Sequence, residues 1–103
     1  MKFNSISPIL EDDEELHLPE LVYWASLGDL KQVRNSLANG IDVNSTDDEG
    51  YSALQAAAEN DYLDIVKLLV SYSVNVHYKS EYSALELAEM AGNTEVITYL
   101  KSL

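Results

Sequence analysis

A chain of 103 residues has room for one domain, and 47% hydrophobic content with only four glycines and two prolines belongs to an ordered fold rather than a disordered chain. The net charge of −12 disfavours nucleic-acid backbones and anionic membrane surfaces, and it admits a basic protein partner. Without cysteine there are no disulfides, no thiolate chemistry and no Cys-based zinc site, and no apolar run approaches the roughly 18 residues of a membrane span. A cytoplasmic address fits this profile.

Residues 1–17 differ in composition from the rest. Phe3, Ile6, Ile9 and Leu10 are apolar, Ser7-Pro8 can start a helix, and the acidic run Glu11–Glu15 follows. Interruptions of the apolar content at Asn4, Ser5, Ser7 and Pro8, and the turn to acidic residues by Glu11, argue against a secretory signal. The segment is expected to be a partly ordered acidic arm whose apolar residues cover part of the first repeat. Its acidic run either stays in solvent, meets a basic protein, or mimics a nucleic-acid backbone.

Helical patterning begins near Pro19. Leu21, Trp24 and Ala25 fall on one face and Gly28 ends the run; Leu30, Val33 and Leu37 follow, closing at Asn39-Gly40. After Ile41–Asn44 a polar loop runs to Gly50. Ser52 is placed to cap a short helix carrying Leu54, Ala57 and Ala58. Asn60-Asp61 supplies the next turn, and Leu63, Ile65, Val66, Leu68 and Leu69 form the apolar part of a longer helix. Ser83 opens a third pair, with Leu85, Leu87 and Ala88 before Gly92-Asn93, then Val96, Ile97 and Leu100.

These pairs repeat. Gly28 aligns with Asp61, Leu37 with Val70, Gly40 with Ser73 and Asn44 with His77, all at a spacing of 33. Between the second and third units the spacing is 31, as in Ala53/Ala84, Leu54/Leu85, Asp61/Gly92 and Leu69/Leu100, so two residues are missing between His77 and Ser83. Each pair is too small to bury its apolar face alone. Stacking makes a continuous core, and Ala56, Ala57 and Ala58 let the central inner helix approach its neighbours.

The stretch Gly50-Tyr51-Ser52-Ala53-Leu54-Gln55-Ala56-Ala57-Ala58, followed by Asp64-Ile65-Val66-Lys67-Leu68-Leu69, resembles the ankyrin-repeat signature. Residues from Glu20-Leu21 to Asn44 resemble an N-terminal capping repeat, and Ser83 to Leu100 a C-terminal one. The signature histidine is replaced by Val22, Gln55 and Glu86; its threonine by Pro19, Ser52 and Ser83. His77 replaces a loop asparagine, and Glu81 stands where glycine is expected. The resemblance implies an all-α solenoid of about three helix-turn-helix repeats (about 18–49, 50–80 and 81–103) with projecting loops, forming an 18–103 domain behind the 1–17 arm. It also implies a non-enzymatic protein-binding scaffold. Its candidate surface comprises Asp48, Glu49, Tyr51, Glu59 and Asn60, with Tyr82, Met90 and Ala91 in the third unit and Ser26 and Leu27 in the first.

Tyr51, Tyr82 and Tyr78 either anchor a partner, combining apolar area with a hydroxyl, or pack on neighbouring loops. The Asp47-Asp48-Glu49 tip receives basic groups of a partner or is simply solvated. Trp24 is expected to face the interior and seal the first repeat. His17 and His77 lie in different modules, so no metal is expected; His77 is assigned a loop hydrogen bond. Glu86 and Glu89 share a helix face without an enclosed site, Ser52 and Ser83 serve best as caps, and no nucleotide fingerprint occurs. No catalytic residues, metal or cofactor are assigned. The preferred function is binding, and possible inhibition or sequestration, of a partner with a basic surface. The alternatives are a structural subunit or homo-oligomer with apolar surface near Tyr99, Leu100 and Leu103, and an acidic immunity-type or nucleic-acid-mimicking inhibitor.

Overall fold

The computed structural model describes residues 20–103. The readings of the 1–17 arm, its Ser7-Pro8 cap, its acidic run and His17, and the threonine-position residue Pro19, lie outside these residues. Six helices follow in chain order: α1 Glu20–Leu27, α2 Leu30–Ala38, α3 Ala53–Glu59, α4 Leu63–Ser71, α5 Ala84–Ala91 and α6 Thr94–Lys101. Each consecutive pair forms a hairpin, and the hairpins stack. The inner row is α1, α3 and α5, with α3 packed between the other two; α2, α4 and α6 form the outer row. This is the all-α, three-repeat solenoid that the spacing predicts.

The buried residues explain why stacking is required. Leu21, Ala25, Val33, Leu54, Ile65, Val66, Leu69, Ala88 and Val96 join one core running through all three hairpins. Every residue of α3 except Glu59 is buried, because this helix has neighbours on nearly all sides. Its alanines permit that close approach, since a bulkier side chain would force the inner helices apart. Fully buried Leu21, Ile65 and Leu69 each contribute about 1.5–3 kcal/mol by leaving water.

The repeat is written in backbone angles as well as in residue types. Gly28, Asp61 and Gly92 close the inner helices with left-handed φ of 77°, 65° and 75°. At Gly28 a β-carbon would stand 2.6 Å from the Tyr62 ring, so glycine answers both the angle and the space. Gly40 and Ser73, one repeat apart, close the outer helices with φ of 90° and 64°. Asp61 and Ser73 thus hold conformations in which a side chain costs about 1–2 kcal/mol, offset by the packed hairpins on either side.

Trp24 is half-buried against the core, with its ring edge-on to Tyr23 at 4.9 Å. Its Nε1 is buried and has no hydrogen-bond partner among the described residues. Among those residues no helix is long and apolar enough to cross a membrane.

Candidate functional site

The inner helices α3 and α5 begin alike. Ser52 and Ser83 adopt extended backbone, and each hydroxyl accepts the N–H of the third helical residue, Gln55 or Glu86. Those two side chains return the bond by accepting the serine N–H, at 2.7 Å for Gln55 and 2.9 Å for Glu86. These reciprocal caps fix the direction in which each preceding loop leaves its helix.

Gln55 does more than cap. Its Nε2 donates to Ser80 Oγ at 3.0 Å and to the Tyr82 carbonyl at 2.6 Å, although the residue is only 1% exposed. One amide therefore ties the start of the second repeat to the loop of the third. In Glu86 the same position carries a carboxylate at the surface. The Ser83 N–H, with Lys79 Nζ 3.3 Å away, holds that carboxyl below its usual range.

The two loops are short antiparallel excursions closed by single bridges, Thr46 to Ser52 and Lys79 to Ser83. The first bridge encloses five residues and the second three, so the missing pair was lost from the loop tip while its base was kept. In the longer loop Asp47 organises the tip. Its carboxylate accepts the N–H groups of Glu49 and Tyr51, both at 2.9 Å, and its own N–H donates to the Tyr51 carbonyl. Tyr78 clips the loops together, its hydroxyl donating to the Gly50 carbonyl at 2.6 Å.

Between these loops and the inner helices lies a groove of about 410 Å³. It is lined by Asp47, Glu49, Tyr51, Gln55 and Glu59 of the second repeat and by Ser80, Glu81, Tyr82, Leu87 and Met90 of the third. Met90 is 65% exposed and Tyr82 39%, so much of the apolar lining faces solvent. The Tyr51 hydroxyl donates to Glu59 Oε1 at 2.6 Å. Burial, this bond and the charges of Glu59 and Asp47 push the phenol well above the usual tyrosine range, so it stays a neutral donor. Nearby lysines are engaged outside the groove: Lys79 with Glu86, and Lys101 with Glu89 at 3.8 Å.

Of the residues singled out from sequence, Glu49, Tyr51, Glu59, Tyr82 and Met90 come together here. Asp48 is exposed at the tip, beside the groove. Asn60 closes α3, its side chain donating to the Ala56 carbonyl at 2.9 Å, and Tyr78 is turned into the loop base. In the first repeat Ser26 donates to its own helix while Leu27 is 56% exposed; Ala91 is exposed at the end of α5. His77 is exposed, and its backbone N–H donates to Asn75 Oδ1. Glu81 and Leu87 were not singled out. Each carried a signal: a charged side chain at a loop position where glycine is usual, and a leucine in register with buried Ala56. Among the described residues no group of three His, Cys, Asp or Glu is arranged to hold a metal ion.

A family described as "Ankyrin repeats (3 copies)" matches residues 21–103. The chain is similar to the Ankyrin repeat and KH domain-containing protein mask-1 of Caenorhabditis elegans, 37% identical over 83 residues, which is 78% of this chain and 3% of that protein. It is 35% identical over 74 residues to the Acyl-CoA-binding domain-containing protein 6 homolog of Dictyostelium discoideum, covering 65% of this chain and 26% of that protein. Over 79 residues it is 30% identical to the Notch-regulated ankyrin repeat-containing protein of Xenopus tropicalis, covering 71% and 69%. The first two relatives are thus several times longer than the stretch they share with this chain.

Proposed function

The chain belongs to the ankyrin-repeat family, and from that premise we propose that the groove between the second and third repeats is where it holds a protein partner with a basic surface. The repeat domain is a protein–protein interaction module; the identity of the surface and the sign of the partner's charge are our reading. We take residues 18–103 as the binding domain and 1–17 as its acidic arm. One observation carries the reading. Side chains from two repeats, Tyr51 and Glu59 on one and Tyr82 and Met90 on the other, line a single open cavity beside an acidic loop.

The caps, the Gln55 bridge and the Tyr78 clip hold this cavity in place before any partner arrives. Little ordering entropy is then lost on binding, which favours affinity from a modest area. A partner seated there has its own basic face covered. Sequestration or inhibition follows from occupancy, with no chemical step.

Affinity capture from the native extract tests this, with wild type beside Tyr82→Ala/Met90→Ala. Both side chains are exposed, so the fold is expected to survive their truncation. A protein enriched by wild type and lost by the variant supports the groove. Equal enrichment by both places the interface elsewhere and refutes it.

A further inference from the structure

We propose that the groove takes an arginine side chain of the partner, stacked on Tyr82 and Met90 with its guanidinium between Glu59 and Glu81. This deepens the protein-binding reading of the same groove and rests on it. The occupant follows from the charges and surfaces on the two walls. Four carboxylates, Asp47, Glu49, Glu59 and Glu81, border the groove, and no lysine or arginine lines it. Among the described residues neither Glu59 nor Glu81 forms an ion pair, because the neighbouring lysines are matched to Glu86 and Glu89.

The carboxylates are not equally available. Asp47 spends one oxygen on two loop N–H groups. Glu59 gives one oxygen to the Tyr51 hydroxyl, which stays protonated, and keeps the other for an outside donor. Glu81 is exposed on the facing repeat. The wall below is apolar, with Met90 and Tyr82 open to solvent and Leu87 at the floor.

That combination selects among cations. A metal ion or a small hydrated ammonium would leave the apolar wall uncovered. Lysine's compact ammonium is strongly hydrated and meets one carboxylate at a time. Arginine has a long apolar stem, a planar weakly hydrated head that lies well on a tyrosine face, and donors that span two carboxylates. A cavity of about 410 Å³ accommodates one such side chain and part of the backbone that carries it.

The first test uses N-acetyl-arginine amide as probe, titrated into the isotope-labelled full chain while backbone amide resonances are followed. A dissociation constant of roughly 1–10 mM is expected for so small a ligand. Shifts should centre on Glu59, Glu81, Tyr82 and Met90. N-acetyl-citrulline amide, of equal shape without charge, should bind at least about fivefold more weakly. Glu59→Gln/Glu81→Gln should weaken the arginine probe by about tenfold or more, with an unchanged spectrum elsewhere, since glutamine can still accept the Tyr51 hydroxyl. Shifts spread evenly over all exposed carboxylates, equal binding of citrulline, or unimpaired binding by the glutamine variant would each overturn the arginine site.

The captured partner separates this failure from a failure of the groove itself. If Tyr82→Ala/Met90→Ala loses the partner while Glu59→Gln/Glu81→Gln retains it fully, the groove stands and the arginine does not. If both variants retain it, the binding face lies elsewhere and both readings fall. Loss by both variants, together with the arginine titration, supports the two.

Discussion

Replacing Gln55 by methionine removes three hydrogen bonds from a residue that is 1% exposed, while keeping an unbranched side chain of similar length. The bonds are not equivalent. The Ser52 N–H lies on a residue that is itself only 4% exposed and would be stranded, at about 1–3 kcal/mol. Ser80 and Tyr82 are exposed, so water can replace the amide there, and each loss costs about 0.5–1.5 kcal/mol at most. Methionine regains part of this by being more apolar. A net loss of about 2–4 kcal/mol is expected, a large share of the few kcal/mol that hold a small domain together. The melting midpoint should fall by roughly 10–25 °C.

Gln55→Glu makes the same point with a sign that can be read. A glutamate keeps the acceptor for Ser52 N–H, and in its protonated form can still donate to the Tyr82 carbonyl. Ionised, it would face that carbonyl from a buried site, so its folded-state pKa must rise above the ordinary carboxylate value of about 4.3. A raised folded pKa means stability present below the unfolded value and lost as pH climbs through the folded one. Urea unfolding followed by circular dichroism, each variant against wild type at matched pH from about 4 to 7, should show the glutamate variant near wild type at the acid end. It should then fall away towards neutrality, while the methionine deficit stays level. A glutamate deficit that does not change with pH, or a methionine cost under about 0.5 kcal/mol, would refute the bridging role of Gln55.

Ser73→Gly should stabilise the domain by about 0.5–1 kcal/mol in the same unfolding assay, because φ of 64° strains a serine more than glycine's extra unfolded-state freedom costs. Gly28→Ala and Gly92→Ala face nearly equal φ, 77° and 75°, but only the first meets a neighbour; its cost should exceed the second by about 1 kcal/mol or more, and Tyr62→Ala should abolish the difference. In an ultraviolet titration Tyr51 should ionise after ordinary tyrosines, and Glu59→Gln should bring it down. Since its folded pKa is raised, its contribution to stability is complete below about pH 10 and fades as pH climbs beyond.

The fold was legible because its determinants are short-range and repeated. Helix faces, the Ser52 and Ser83 caps and the left-handed turns at Gly28, Asp61 and Gly92 recur at spacings that can be counted in the sequence. The candidate site was legible only where it projects from that repeat. Glu49, Tyr51, Glu59, Tyr82 and Met90 could be found by mapping loop tips and inner-helix ends onto the ankyrin pattern. What the pattern could not reveal is pairing across repeats. That Gln55 bonds to Tyr82, or that Tyr78 bonds to Gly50, depends on how the chain returns between residues 27 or 28 apart in sequence. Glu81 was left off the candidate surface for a related reason: it sits in the shortened loop, and its place on the groove depends on how that loop packs against the preceding repeat.

A solenoid has to reconcile a core that demands sameness with a surface that needs an identity. Here the division follows the register closely. Leu21 aligns with Leu54, Ala25 with Ala58, and Ala57 with Ala88; these positions are buried and nearly interchangeable. The groove is built from positions that do not match. Glu59 corresponds to Met90 and to Ser26 in the first repeat, buried Ala56 to Leu87 and Tyr23, and buried Gln55 to surface Glu86. Because the carboxylate and the thioether occupy the same place in successive repeats, they stand side by side on the groove, one charged and one apolar. A flat repeat would offer a stripe of one chemistry. The mismatch offers an acidic pole beside an apolar one, and such a surface distinguishes an arginine-bearing segment from a merely basic one. If that is so, exchanging Glu59 and Met90 as a pair should leave the fold intact, since both are exposed, at a cost of about 1–3 kcal/mol for the Tyr51 hydroxyl bond. The exchange also breaks the Tyr51 hydroxyl bond and moves the charge to the other repeat, so binding of the arginine probe should drop by about tenfold; unchanged affinity would show that only total charge matters.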